Sequence, residues 1–182
     1  MKILLTSFLM LFLVSCGGTG KPDNITPVQS FDAQRYLGTW YEIARLDHRF
    51  ERGLSHVTAE YSLRDDGGIN VVNKGYSQEE GKWNTAEGKA YFVSDKNTGF
   101  LKVSFWGPFY SSYVIFELDS NYQYALISGA NKDYFWILSR QPDMQDAQFN
   151  QLVEKAKSLG FDTTKLVKVD HSIIATEQVT SN

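Results

Sequence analysis

Eight short runs of alternating apolar and polar residues, each closed by a turn signal, restrict this chain more than any other feature. They span residues 39–45, 57–64, 68–76, 88–94, 100–106, 113–118, 122–128 and 134–140. A period of two turns one face of each run toward an apolar interior and the other toward water, so the runs read as half-buried strands. The breaks carry Asp65-Asp66-Gly67-Gly68, Glu80-Gly81, Asp95-Lys96-Asn97-Thr98-Gly99, Asp119-Ser120-Asn121 and Gly129-Ala130-Asn131-Lys132-Asp133. These form tight hairpins because Gly accepts positive φ and Asn or Asp bonds its own backbone. Successive hairpins build an up-and-down sheet, and closing it removes the exposed edges. The expected fold class is all-β: an eight-stranded antiparallel up-and-down barrel with one C-terminal α-helix packed outside. That helix is read from Phe149, Leu152, Val153, Ala156 and Leu159, spaced by three and four, with Asp143 as N-cap and Gly160 as stop. Residues 161–169 can return as a short extra strand, and the tail after His171 reads as polar and loosely held, apart from Ile173-Ile174.

Composition narrows the class of activity. The net charge is -3 and the pI near 5.6, which gives no basic face for nucleic acid. There is no Gly-x-Ser-x-Gly elbow and no Cys/His metal spacing, and His48, His56 and His171 are scattered and read as surface residues. No catalytic residue, metal ligand or cofactor is therefore expected, and the chain is not read as an enzyme.

The N-terminus has its own logic. Met1-Lys2 leads into an apolar run over residues 3–14, too short for a membrane span, which needs about 20 residues. The run ends in Leu13-Val14-Ser15-Cys16, which resembles the bacterial lipoprotein box. In that box the cysteine thiol takes a diacylglycerol and becomes the new N-terminus. Cys16 is also the one cysteine of the chain, so no intramolecular disulfide can claim it. The resemblance implies a lipid anchor, and Gly17 in place of an aspartate implies delivery to the outer membrane, on its periplasmic side. The expected organisation is a signal peptide over 1–15, a lipidated cysteine and flexible tether over 16–30, a folded domain over 31–170 and a loose tail over 171–182.

Three groups of residues then point to a family. Residues 31–45 contain Gly38-Thr39-Trp40 and resemble the first lipocalin motif. Ile137-Leu138-Ser139-Arg140 resembles the third. In the second, usually Thr-Asp-Tyr, Asp133-Tyr134 match while Lys132 replaces the threonine. Asp47 to Leu54, Tyr61 to Gly68 and Leu101 to Tyr110 are similar to the bacterial lipocalins of the outer-membrane lipoprotein type. The resemblance implies that Trp40 plugs the closed end of the barrel with Arg140 across its ring, a cation–π pair worth roughly 0.5–2 kcal/mol.

With Trp40 inward, alternation sends Glu42 and Ala44 inward too. Val57, Ala59, Tyr61 and Leu63 should follow on the second strand, Val103 and Phe105 on the fifth, Tyr113 and Ile115 on the sixth, and Tyr134, Trp136 and Leu138 on the eighth. Of these, Tyr113, Trp136, Tyr134, Phe105, Val103, Tyr61 and Ala59 are the candidate ligand-binding residues, with Tyr113, Tyr134 and Trp136 nearest the open end. Each is also an ordinary core residue taken singly. Glu42 needs a buried tyrosine or arginine as partner. The charged stretch Leu46 to Ser55 reads as an entrance lid or as a solvated loop with Phe50 tucked onto the barrel. Arg49, Arg52, Lys74 and Lys89 read as surface charges within reach of a phosphate. The family implies a membrane-anchored protein that stores or transports a fatty acid, a lysophospholipid or a similar hydrophobe, in envelope maintenance. A haem or tetrapyrrole carrier and a partner-binding lipoprotein with a filled barrel are the alternatives. The aromatic loop Trp106 to Tyr110 also offers a surface for a membrane or a homodimer.

Overall fold

The computed structural model describes residues 19–172. A four-residue helix, α1 (Ala33–Tyr36), precedes β1 (Gly38–Leu46), β2 (Leu54–Leu63), β3 (Ile69–Ser77), β4 (Lys82–Phe92), β5 (Phe100–Trp106), β6 (Phe109–Leu118), β7 (Tyr124–Ser128) and β8 (Phe135–Ser139). Helix α2 (Asp146–Ser158), a 3-10 turn (Thr163–Lys165) and β9 (Leu166–Lys168) follow. Every strand from β2 to β7 pairs antiparallel with the next, and β1 closes the barrel by bonding both β8 and β2. β9 is the expected extra strand, and it lies along Ala44–Leu46 of β1. The loops after β1, β3, β5 and β7 share one end, which is open. The loops after β2, β4 and β6 share the other with α1, which closes it.

Strand β4 begins at Lys82, not Gly88. Its first half is mostly polar, and an unbroken ladder with β3 from Ser77↔Lys82 to Ile69↔Ala90 holds it. Backbone bonds of that kind leave no side-chain pattern. The N-cap of α2 is Gln145 instead of Asp143, with no side-chain cap bond. Met144 packs against the outer core and carries the chain past Asp143 before the first turn begins. Gly160 does stop the helix, at φ +85°, a left-handed value that favours glycine.

Two apolar clusters straddle the barrel wall. The outer one joins Val114, Phe116, Leu126, Phe135 and Ile137 to Phe149, Leu152 and Ala156 of α2. The helix thus buries the face that its spacing marks, at roughly 1.5–3 kcal/mol for each large side chain. The inner cluster gathers Trp40, Tyr61, Leu101, Ile115, Ile127 and Leu138 around the barrel axis.

The stretch before α1 is more firmly attached than a flexible tether over 16–30. Ile25 is 1% exposed and belongs to the outer cluster. Val28 donates its N–H to the Ile115 carbonyl (2.9 Å) and accepts from Gly99 N–H (2.9 Å). Asn24 bonds the Leu159 carbonyl, and Ser112 Oγ donates to the Gly20 carbonyl. The segment expected to be a signal peptide, Cys16 and Ile173-Ile174 lie outside the described residues. His171 is not loose: its Nε2–H bonds the Glu42 carbonyl (2.8 Å) and its ring meets Tyr41 edge-on.

Candidate functional site

The closed end is a sealed floor. Trp40 has no exposure, and its indole N–H donates to the Tyr36 carbonyl (2.8 Å). The Arg140 guanidinium lies 4.1 Å from the Trp40 ring centroid, and its N–H groups bond the carbonyls of Thr39, Arg35 and Tyr122. Gly38 sits at φ +88°, where the chain turns from α1 into β1 beside that guanidinium. The Gly38, Trp40 and Arg140 motif is therefore the plug that the resemblance implies. Above it, Tyr113 Oη bonds both Tyr36 Oη (2.7 Å) and Tyr61 Oη (2.8 Å). Burial raises the pKa of all three phenols well above the usual tyrosine range, so they stay protonated.

Tyr113 was expected near the open end, but its hydroxyl reaches this floor. Trp136 does lie near the mouth. Tyr134 precedes β8 and belongs to neither core cluster; it stacks on Trp136 at 6.3 Å on the rim. Ala59, Val103, Phe105, Tyr113 and Trp136 pack with the inner cluster yet remain partly exposed. Partial exposure of these inward residues leaves unfilled space above the buried floor, beneath the loop that follows β1. Leu63 does not face it: at the closed end of β2, it is 48% exposed. Asn73, the cross-strand partner of Ala59, holds a buried Oδ1 without a hydrogen-bond partner.

At the mouth the alternation breaks. The pairing of β1 with β8 shifts between Glu42 and Ala44, a β-bulge. Ala44, expected inward, therefore packs in the outer cluster, and Arg45 turns in with 2% exposure. Arg45 Nη1 bonds Glu42 Oε1 (2.7 Å), which gives Glu42 the arginine partner it needs. Arg45 Nη2 bonds the Glu51 carbonyl (2.6 Å) and pins the loop after β1. Glu51 folds inward as well, accepting from the Trp136 indole N–H (3.0 Å). His48 Nε2 lies 3.0 Å from Glu51 Oε2, close enough for an ion pair but off-line as a hydrogen bond. The His48 ring packs edge-on against Trp136 at 5.2 Å. Burial first, and then the Glu51 charge, push the Glu42 carboxyl up to about 8 against the pull of Arg45. Burial also opposes ionisation of Glu51, but His48, the Trp136 indole and Arg45 outweigh it and hold that carboxyl below its usual value.

Loop 47–53 is thus half lid and half surface. His48 and Glu51 fill the mouth, while Arg49 and Phe50 stand in solvent and Arg52 pairs with Asp47 (2.8 Å). His48 and His56 are buried, contrary to the surface reading. The inward turn of Glu42 was visible from alternation. The inward turn of Arg45 was not, because a bulge without glycine leaves no mark in the sequence, and of the residues in the expected entrance lid it is His48 and Glu51 that fold in. Among the described residues no cluster of His, Cys, Asp and Glu has the makings of a metal site, and no helix is long and apolar enough to cross a membrane.

The sequence pattern of the lipocalin-like domain matches residues 31–171. The chain belongs to the lipocalin family. Members bind small hydrophobic molecules and are generally not enzymes. This lipocalin is 54% identical over 165 residues to the outer membrane lipoprotein Blc of Vibrio cholerae serotype O1, covering 87% of the chain and 96% of that protein. It is 53% identical over 157 residues to the protein of the same name in Escherichia coli K12, covering 86% and 89%. In fold the lipocalin matches insecticyanin of the tobacco hornworm Manduca sexta, with a TM-score of 0.66 at 22% identity over 84% of this chain and 87% of that one.

Proposed function

We propose that this lipocalin carries a single-chain lipid, a fatty acid or a lysophospholipid, with its acyl tail in the lumen and its headgroup at the mouth. The observation that carries the reading is the partly exposed run Ala59, Val103, Phe105 and Tyr113 above the sealed floor. An apolar shaft of that form suits an elongated hydrophobe. Tyr134 and Trp136 flank the headgroup. The Leu-Val-Ser-Cys16 box supports a lipid anchor, and the names of the two relatives support the outer membrane as the site. Storage or transfer of lipid during envelope maintenance, from the periplasmic face, follows from a binding site held at a bilayer.

The test is native mass spectrometry of the protein titrated with lysophospholipid, for wild type and for Ala59→Trp, which fills the shaft. One lipid per wild-type chain and loss in the variant support the reading. A folded wild type that takes up no lipid sinks it, and a purified protein that is coloured points instead to a tetrapyrrole.

A further inference from the structure

We infer that the open rim of the barrel is a membrane-docking surface, pressed mouth-down on the bilayer that holds Cys16; the inference rests on the lipid-anchor reading. Among the described residues, four aromatic side chains stand well out of the protein: Trp106 (82% exposed), Phe109 (78%), Phe50 (63%) and Trp83 (46%). All four belong to the open end, in or beside the loops after β1, β3 and β5. Of the exposed aliphatic residues, Leu63 and Val93 sit at the closed end and Val167 on the outer wall beside Arg45. From Val103 to Phe116 the chain has no charged residue, so the hairpin that carries Trp106 and Phe109 enters an interface without desolvating a charge. Tryptophan at a rim of this kind matches the water–hydrocarbon boundary, where an apolar ring and a polar N–H are both satisfied.

Chain length selects the occupant and its orientation. The Gly20 carbonyl is fastened to Ser112 on the outer wall of β6. Four residues from Gly20 back to Cys16 span at most about 14 Å. Ser112 is three residues from Phe109, about 10 Å along the strand, so the anchor reaches the plane of the open rim. The closed end of β6, at Leu118, is six residues away, about 20 Å, and α1 lies beyond it. A Cys16 anchor therefore cannot set the closed end on the membrane while Gly20 stays fastened. A headgroup at the mouth would then exchange with the bilayer without crossing water.

The experiment uses the full lipidated chain in vesicles of phosphatidylethanolamine and phosphatidylglycerol. A fluorophore is placed on Trp106→Cys or Phe109→Cys, with Leu63→Cys and Glu154→Cys as controls; all four positions are exposed, so folding is preserved. Nitroxide-labelled lipid should quench the two rim labels several-fold more than the controls, and aqueous iodide should do the reverse. Equal access of iodide to all four labels would overturn the proposal. Rim labels that quench one another but ignore nitroxide lipid would assign the rim to a second copy, and would also overturn it. The mass of the purified chain separates the two readings. A Cys16 without diacylglycerol removes the anchor and the docking geometry together, while lysophospholipid binding is scored independently.

Discussion

The two ends of this barrel are built from opposite materials. At the floor, neutral phenols and one arginine meet carbonyls and a ring, and each polar atom named there has a partner. At the mouth, two glutamates, an arginine and a histidine are crowded out of water, and Arg45 Nε and His48 Nδ1 are buried without a hydrogen bond. Satisfied groups of fixed charge make a rigid closure. Frustrated, titratable groups make a closure that can give way. The difference suits a container whose base must never leak and whose entrance must admit a ligand.

If that contrast is right, damage to the floor should cost most. Trp40→Ala should lower stability by about 3–5 kcal/mol, the usual cost of removing a large buried ring, measured by urea unfolding. Tyr113→Phe strands the hydroxyls of Tyr36 and Tyr61 and should cost about 1–3 kcal/mol in the same assay. A loss no larger than for mouth variants would break the comparison.

The mouth should announce itself through pH. A carboxyl whose folded value is about 8 keeps a proton that the unfolded chain, near 4.5, has already released. The unfolded state then binds fewer protons, so stability falls as pH rises from about 4.5 to about 8. Glu51, shifted the other way, contributes stability above its unfolded value that is lost only in more acid solution. Glu42→Gln should flatten the loss between pH 4.5 and 8 and leave the floor unaffected, as read by thermal unfolding across that range. The smallest effect belongs to Trp136→Phe. It removes one bond to Glu51, about 1 kcal/mol, and should speed amide hydrogen exchange in loop 47–53 while leaving β1 to β3 protected.

The plug of the floor was legible in the sequence because Gly38, Trp40 and Arg140 form motifs on strands that alternation finds. The Tyr36, Tyr61 and Tyr113 network above it was not, because alternation gives the face of Tyr113 and not the depth its hydroxyl reaches. The barrel was legible from the same alternation, down to the three-residue strand at its end. The mouth was legible only as far as Glu42. One bulge reverses the faces of Ala44 and Arg45, and strict alternation carries no trace of it. The packed N-terminal stretch was hidden by its own composition. Pro, Gly and polar residues around Ile25 and Val28 look like a linker until a groove along β6 and α2 supplies their partners. Tyr134 shows a third limit. Its parity with Trp136 is correct, but β8 starts one residue later, at Phe135, and a residue outside the ladder need not obey the strand's pleat.

Arg140 also has a consequence for how the molecule comes into being. Its bonds reach back 105 residues to Arg35 and 101 to Thr39, and Ser139 must find Tyr41 before the cylinder exists. A chain synthesised from its N-terminus has β1 waiting through nearly the whole of elongation for the strand that completes it. Loop closure over such a separation is slow. Until then the polypeptide is a string of hairpins without an inside, a form that can still be threaded through a narrow channel.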